Sequence, residues 1–247
     1  GLPAILKAIS QGYDGKQQAV LRATTDLAAA WEQVGEGKVP CILESLVVFA
    51  RELSIIAARS HSGEIVYYPL SENHHREGIL RLSRCRPNDA MQAKAEATTR
   101  CVLEHLDYVG VLALELFQVG DALYANEMAP RVHNTGHWTI EGADTSQFEN
   151  HLRAICGQPL GDTAVVQPVA MVNLIGTLPS EAEIRAIPGA VPHFYGKAER
   201  PGRKVGHVTL TRGDSTTEDF EQRLVQLLQL AGEHELATQC HGRVSDH

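Results

Sequence analysis

The chain has 247 residues and a formal net charge of −8, from 22 Lys and Arg against 30 Asp and Glu. That length suits one large domain or two small ones, and the acidic balance speaks against nucleic acid or an anionic membrane surface as a partner. The densest basic cluster, RPGRK at 200–204, is short, no apolar run reaches the length of a membrane span, and no signal-peptide pattern is present. Five cysteines stand singly, which reads as reduced, cytosolic thiols with no disulfide framework and no CxxC metal site. Twelve histidines show no zinc-helix spacing.

In chain order, PAILKAI reads as a short strand and QAVLRA as its return, with GYDGK as the tight turn. Leu27, Ala30, Trp31 and Val34 recur at helical spacing and predict one buried helix face, ended by Gly35. VPCILESLV is an apolar strand with a glutamate inside it. ELSIIAAR and EIVYYPL flank His61, Ser62 and Gly63 and predict a hairpin. The pattern over 88–108 is helical, with Asp89 as its cap. VGVLALELF and ALYANEMAP predict two strands around Gly120 and Asp121. A helix follows with Phe148, Leu152 and Ile155 inward and Gly157 at its end. From Gln167 the chain is strand-rich, and a last helix over 217–231 buries Phe220, Leu224, Leu227, Leu228 and Ala231 behind a capping box at 215–218. Strands and helices mix without strict alternation, so the class is α+β, with a boundary near 158–167.

The strongest chemical signal is the pair Glu115 and Glu127. If the two strands pair around Asp121, Val119 faces Leu123, Phe117 faces Ala125 and Glu115 faces Glu127, roughly 5 Å apart. Like charges so placed want a cation, and oxygen ligands with Asn126 nearby suit magnesium. The alternative is two solvated ends of an exposed hairpin, and a one-residue slip would turn Glu127 to the other face. Next comes MAPRVHNTGHWT, which gathers Arg131, His133, Asn134 and His137 around Gly136. Its cations and amide could hold a small anion, or its polar groups could satisfy each other. ILESLV followed by Glu52 could present backbone to an adenine and a carboxylate to a ribose, although buried strands ending in glutamate are common. Lys7 beside the SQGYDGKQQ turn is a standard phosphate partner, yet GYDGK lacks the Ser or Thr of a Walker loop and could be an ordinary hairpin turn.

Taken together, GYDGKQQ, ELSIIAAR, NEMAPRVHNTGHWT and RPGRKVGH, in this order, resemble the 5-(carboxyamino)imidazole ribonucleotide synthetases, ATP-grasp ligases of purine synthesis. The resemblance implies a partial ATP-grasp fold over 1–164, followed by a small β-rich C-terminal domain with a final helix over 165–247. It implies ATP contacts from Lys7, Gly12, Tyr13, Asp14, Gly15, Lys16, Gln17, Gln18, Glu44, Ser45, Leu46, Val47, Glu52, His75 and Asn126. Mg2+ would be held by Glu115 and Glu127. Arg131, His133 and Asn134 would sit at the bicarbonate and carboxyphosphate position. Tyr13, Asp14 and Lys16 would approach aminoimidazole ribonucleotide, and Lys197, Arg203 and Lys204 would bind its phosphate. Asp14 is the candidate acceptor of the amine proton. The implied protein is a cytoplasmic homodimer with small-molecule substrates and no nucleic-acid or membrane partner.

The pattern departs from the family in two ways. The family's N-terminal nucleotide-like domain and the first part of its ATP-grasp have no counterpart before Gly1, so a fragment or one piece of a split protein is expected, and the isolated chain is expected to be a poor catalyst. Gln11 and Gln17 replace the family's loop glycines, which is expected to hinder loop closure. A formate-using purine transformylase or a biotin carboxylase type is the alternative ligase, disfavoured by RPGRKVGH. A non-catalytic ATP-binding module is the alternative from another class.

Overall fold

The computed structural model describes residues 1–9 and 18–244, with side chains through Cys240. The chain forms two compact units, one of residues 1–50 with 75–80, the other of residues 51–74 with 81–247.

In the first unit, β1 (Ala4–Ala8) lies between β2 (Gln18–Leu21) and β3 (Cys41–Ser45), antiparallel to both. The helix α1 (Leu27–Gln33) buries Ala30, and Val34 just beyond it, on Ala4, Ala19 and Leu21. The predicted face is thus half right, because Leu27 and Trp31 are exposed. This unit's sheet is only three short strands wide, which leaves little surface to cover Leu27 and Trp31.

The large sheet holds β4 (Arg51–Arg59), β5 (Ile65–Tyr67), β6 (Ser71–Arg76), β7 (Ile79–Cys85), β8 (Gly110–Val119) and β9 (Ala122–Ala129). It continues through β10 (Val169–Ile175), β11 (Ala190–Phe194) and β12 (Lys204–Thr211). The order is β11-β12-β10-β7-β6-β4-β8-β9, with β5 on β4 as the sequence hairpin predicts. The helix α2 (Gln92–His105) covers β4 and β8 through Ala95 and Leu103, which meet Leu53, Ile55, Leu112 and Leu114. It begins later than expected. Met91 is the residue before the first turn, and Asp89, two residues earlier, caps the turn that leads in by accepting from the Met91 N–H, while it forks onto Arg51 at 2.6 and 2.9 Å.

After β9 come α3 (Thr139–Gly142) and α4 (Gln147–Ile155). On the far side α5 (Glu181–Arg185), α6 (Thr217–Leu230) and α7 (His234–Val244) pack on β10 and β12. The α6 stripe Phe220, Leu224, Leu227 and Leu228 is buried as expected, but its capping box is Thr216 with Asp219, one residue later than predicted. The helix expected to be the last, α6, is followed by a further one, α7. On α4 the expected face is mostly turned outward: Gln147, Asn150 and Ala154 are buried and Phe148 is half-buried, whereas Leu152 and Ile155 are exposed. Gly157 does end that helix, in the left-handed conformation. Among the described residues no helix is long and apolar enough to cross a membrane.

Candidate functional site

β8 and β9 are joined by a two-residue turn, so their ladder starts at Val119↔Ala122 and runs through Phe117↔Tyr124 to Leu116↔Ala125. Continued regularly, it would set Asn126 against Glu115. Instead the register shifts there by one, and Glu115 pairs with Glu127. The inferred carboxylate pair therefore exists, but by a different route. The pairs Val119–Leu123 and Phe117–Ala125 do not form, and a bulge at Asn126 makes up the difference. Bulges bend a strand and re-aim its side chains, and they concentrate beside active sites. On the other side of β8, Glu115 lies opposite Ser54 of β4.

Two carboxylates directly opposed across an antiparallel ladder repel, and His133 Nε2 is 3.6 Å from Glu115 Oε1. Among the described residues no three His, Cys, Asp or Glu side chains form a ready metal cage. The donor set is a pair of oxygen ligands. That fits magnesium, which takes one or two carboxylates and fills its shell with water and substrate phosphates.

The loop 130–138 that leaves β9 rests on a buried polar ladder. Trp138 Nε1 donates to Ser71 Oγ at 2.8 Å, and Ser71 Oγ donates to the Thr135 carbonyl at 3.3 Å. Beneath them Ser83 donates to Asn73, and Asn73 to Ser54. Thr135 in turn fixes His133, whose Nδ1 accepts from the Thr135 N–H at 3.4 Å. Nδ1 also lies 2.9 Å from Thr135 Oγ1, and the ring so held presents Nε2 toward Glu115. Asn134 carries a buried Oδ1 without a hydrogen-bond partner, an acceptor of the kind a bound donor would satisfy. Arg131 is exposed, with one N–H on the Val132 carbonyl at 3.0 Å.

A row of aromatic rings continues from this loop to β12. His137 stacks on Phe148 at 5.4 Å and tilts over His207 at 5.0 Å. His207 stacks on His193, its cross-strand partner, at 4.4 Å, and its Nδ1 meets the Tyr195 hydroxyl at 2.7 Å. His193 Nε2 reaches Glu141 at 2.7 Å. Burial, and then the Lys204 charge with His193 and Arg131, push His137 down to about 4. Burial, and then His137, His193 and Lys204, push His207 down to about 2. Both rings are neutral at physiological pH. Lys197 lies over the Tyr195 ring at 5.3 Å, and Arg203 donates to the Ala198 carbonyl at 3.3 Å.

The second unit carries Glu115, Asn126, Glu127, Arg131, His133 and Asn134 on β8, β9 and the loop that follows, and Lys197, Arg203 and Lys204 at or just before the start of β12. Glu52 is on β4, opposite Phe117 and Asn73. Lys7, Glu44, Ser45, Leu46, Val47 and His75 belong to the first unit, where Lys7 Nζ and Glu44 Oε2 pair at 2.7 Å. Gln18 opens β2 opposite Lys7. Gln11, Gly12, Tyr13, Asp14, Gly15, Lys16 and Gln17 lie outside the described residues. Sequence reasoning missed Gln147, Ser71 and Asn73. Their signal was polarity at positions that periodicity places in strands or on a helix, where no motif marks them.

Comparison with known proteins bears on this geometry. Residues 1–148 match the ATP-grasp domain model, and residues 169–223 match the phosphoribosylaminoimidazole carboxylase C-terminal domain model. The N5-carboxyaminoimidazole ribonucleotide synthase of Pseudomonas aeruginosa is 54% identical over 217 residues, 88% of this chain and 60% of that protein. The synthetase structure from Thermus thermophilus superposes with a TM-score of 0.84 at 53% identity, over 93% of this chain and 62% of the other. A synthase from Aspergillus clavatus, in complex with ADP and 5-aminoimidazole ribonucleotide, gives 0.83 at 31% identity, over 94% and 62%. The chain therefore spans about three fifths of the length of the curated relatives it matches.

Proposed function

The chain belongs to the ATP-grasp family, alongside the N5-carboxyaminoimidazole ribonucleotide synthases, and on that premise we propose that the protein carboxylates 5-aminoimidazole ribonucleotide at the expense of ATP. Bicarbonate oxygen takes the γ-phosphoryl group of ATP, giving ADP and carboxyphosphate. The exocyclic amine of the ribonucleotide then attacks the carboxyl carbon, phosphate leaves, and one amine proton is lost. The observation that carries the reading is the bulged pairing of Glu115 with Glu127 immediately before the His133 loop, in a chain 54% identical to a synthase of that name.

Glu115 and Glu127 would hold magnesium, which supplies charge neutralisation at the transferred phosphoryl group. Asn134 as an amide donor, His133 and the Arg131 cation orient the bicarbonate and carboxyphosphate. Lys197, Arg203 and Lys204 take the ribonucleotide phosphate. Lys7, Glu44, Ser45, Leu46, Val47, Glu52, His75 and Asn126 take ATP, with residues 12–18. Asp14 receives the amine proton. In this reading the ATP-grasp part runs over 1–164 and the C-terminal part over 165–247, near the two matched spans. Cys41, Cys85, Cys101 and Cys156 as thiols support a cytoplasmic setting. In this reading the protein acts as a homodimer.

The test is ADP release by the full-length protein with bicarbonate, with and without 5-aminoimidazole ribonucleotide. Product formation that requires all three substrates is expected. ATP cleavage indifferent to the ribonucleotide would point to another ligase, and no cleavage to a binding module.

A further inference from the structure

Gln147, the first residue of α4, is fully buried. A buried amide left unpaired costs about 1–3 kcal/mol, and this one is fully used. Its Oε1 accepts the His133 N–H at 2.9 Å, and its Nε2 donates to the His133 carbonyl at 2.6 Å. The same Nε2 lies 3.2 Å from His137 Nδ1, and the Gln147 N–H donates to Thr139 Oγ1 at 2.9 Å.

The orientation of the amide follows from chemistry. A flipped amide would set its oxygen against the His133 carbonyl and its NH2 against the His133 N–H. With Nε2 donating, His137 Nδ1 must accept, so the His137 proton sits on Nε2.

The space for the amide is made by a glycine. A Cβ on Gly136 would lie 2.8 Å from Gln147 Oε1 and 2.9 Å from Cδ. Gly136 has no left-handed φ, so close approach alone accounts for it.

We propose that Gln147 is a positioning residue for the carboxylation: it holds both backbone groups of His133 and, through His137 and His207, ties the His133 loop to the strand that carries Lys204. This rests on the function proposed above. One amide thereby connects the loop assigned to bicarbonate with the strand assigned to the ribonucleotide phosphate. Every link is a contact already given: Gln147 to His133, Gln147 to His137, His137 over His207, and His207 on β12.

Three variants of the full-length protein test it: Gln147→Glu, Gln147→Met and Gly136→Ala. Gln147→Glu keeps the shape and loses both donors, and Gly136→Ala displaces the amide by contact and leaves its chemistry unchanged. In each, kcat for bicarbonate-dependent ADP release should fall at least roughly tenfold, with the KM for ATP within about threefold. Nitrogen-15 spectra of the imidazoles should show His137 as the Nε2–H tautomer in the parent, and as a mixture in Gln147→Met. A kcat within about twofold of the parent in Gln147→Met and Gly136→Ala overturns the proposal. So does a parent His137 protonated on Nδ1. A parent protein without bicarbonate-dependent turnover sinks the functional reading instead, and the spectra still decide the clamp.

Discussion

Glu115 and Glu127 face each other only because Asn126 is accommodated as an extra residue in β9. The ladder gains nothing from that, since like charges in directly opposed positions destabilise a sheet. A position that works against stability and still carries a carboxylate points to a ligand that reverses the sign. Glu127→Gln removes one charge at an exposed position and keeps the shape. ATP turnover in the full-length protein should fall about a hundredfold, ~2.7 kcal/mol in the barrier. The melting temperature in metal-free buffer should stay level or rise. Turnover at the parent level would remove the metal assignment.

At the scale of the element, α4 shows where reading by periodicity stops. Phe148, Leu152 and Ile155 recur at helical spacing and correctly announce a helix, but spacing does not say what covers each face. The covered face is polar and satisfied. Asn150 donates to the Tyr68 hydroxyl at 2.8 Å and accepts from the Gly161 N–H at 2.7 Å, while His151 Nδ1 accepts from the Val111 N–H at 3.0 Å. Those partners lie 11 to 82 residues away, beyond any local pattern. The bulge was hidden for a similar reason. A symmetric pairing of β8 and β9 gives the right glutamate pair, but the turn closes at Ala122 and only an inserted residue restores the match. In α6 the run Ser215, Thr216 offered two caps, and Asp219 selected Thr216. The expected cost of substitution follows the observed face. On the isolated chain, Leu152→Ala should cost no more than about 0.5 kcal/mol, and Leu103→Ala, fully buried, about 2–5 kcal/mol. Urea unfolding of the two variants checks this, and equal costs would mean that the α4 face is assigned the wrong way round.

Across the molecule, the chemistry of the site was legible because it sits in contiguous runs: Glu127 leads directly into Arg131, His133 and Asn134, and Arg203 and Lys204 are adjacent. What holds those runs together was not, because it is built from single buried polar residues on separate elements. The ring row from His137 to His193 belongs to that hidden frame, and it makes stability depend on pH. His137 and His207 are held at about 4 and about 2 in the folded chain, against about 6.5 when unfolded. Between those values the unfolded chain binds protons that the folded one refuses, so this stability is present above about pH 6.5 and is lost as pH falls. By about pH 5 the loss should be about 2 kcal/mol for each ring. The buried carboxylate of Glu72 acts lower on the scale. The His74 hydrogen bond and the Arg86 charge hold it well below the usual carboxylate range despite burial, so its contribution is present above about pH 4.5 and is lost only below that. A comparison of urea unfolding at about pH 7 and about pH 5 therefore isolates the histidines. His207→Gln keeps an amide for the Tyr195 hydroxyl and removes one titrating ring, so the difference between the two conditions should shrink by about half. Equal stability of the parent at both pH values would mean that the row is protonated in the folded chain, and His137 could then not accept the Gln147 amide.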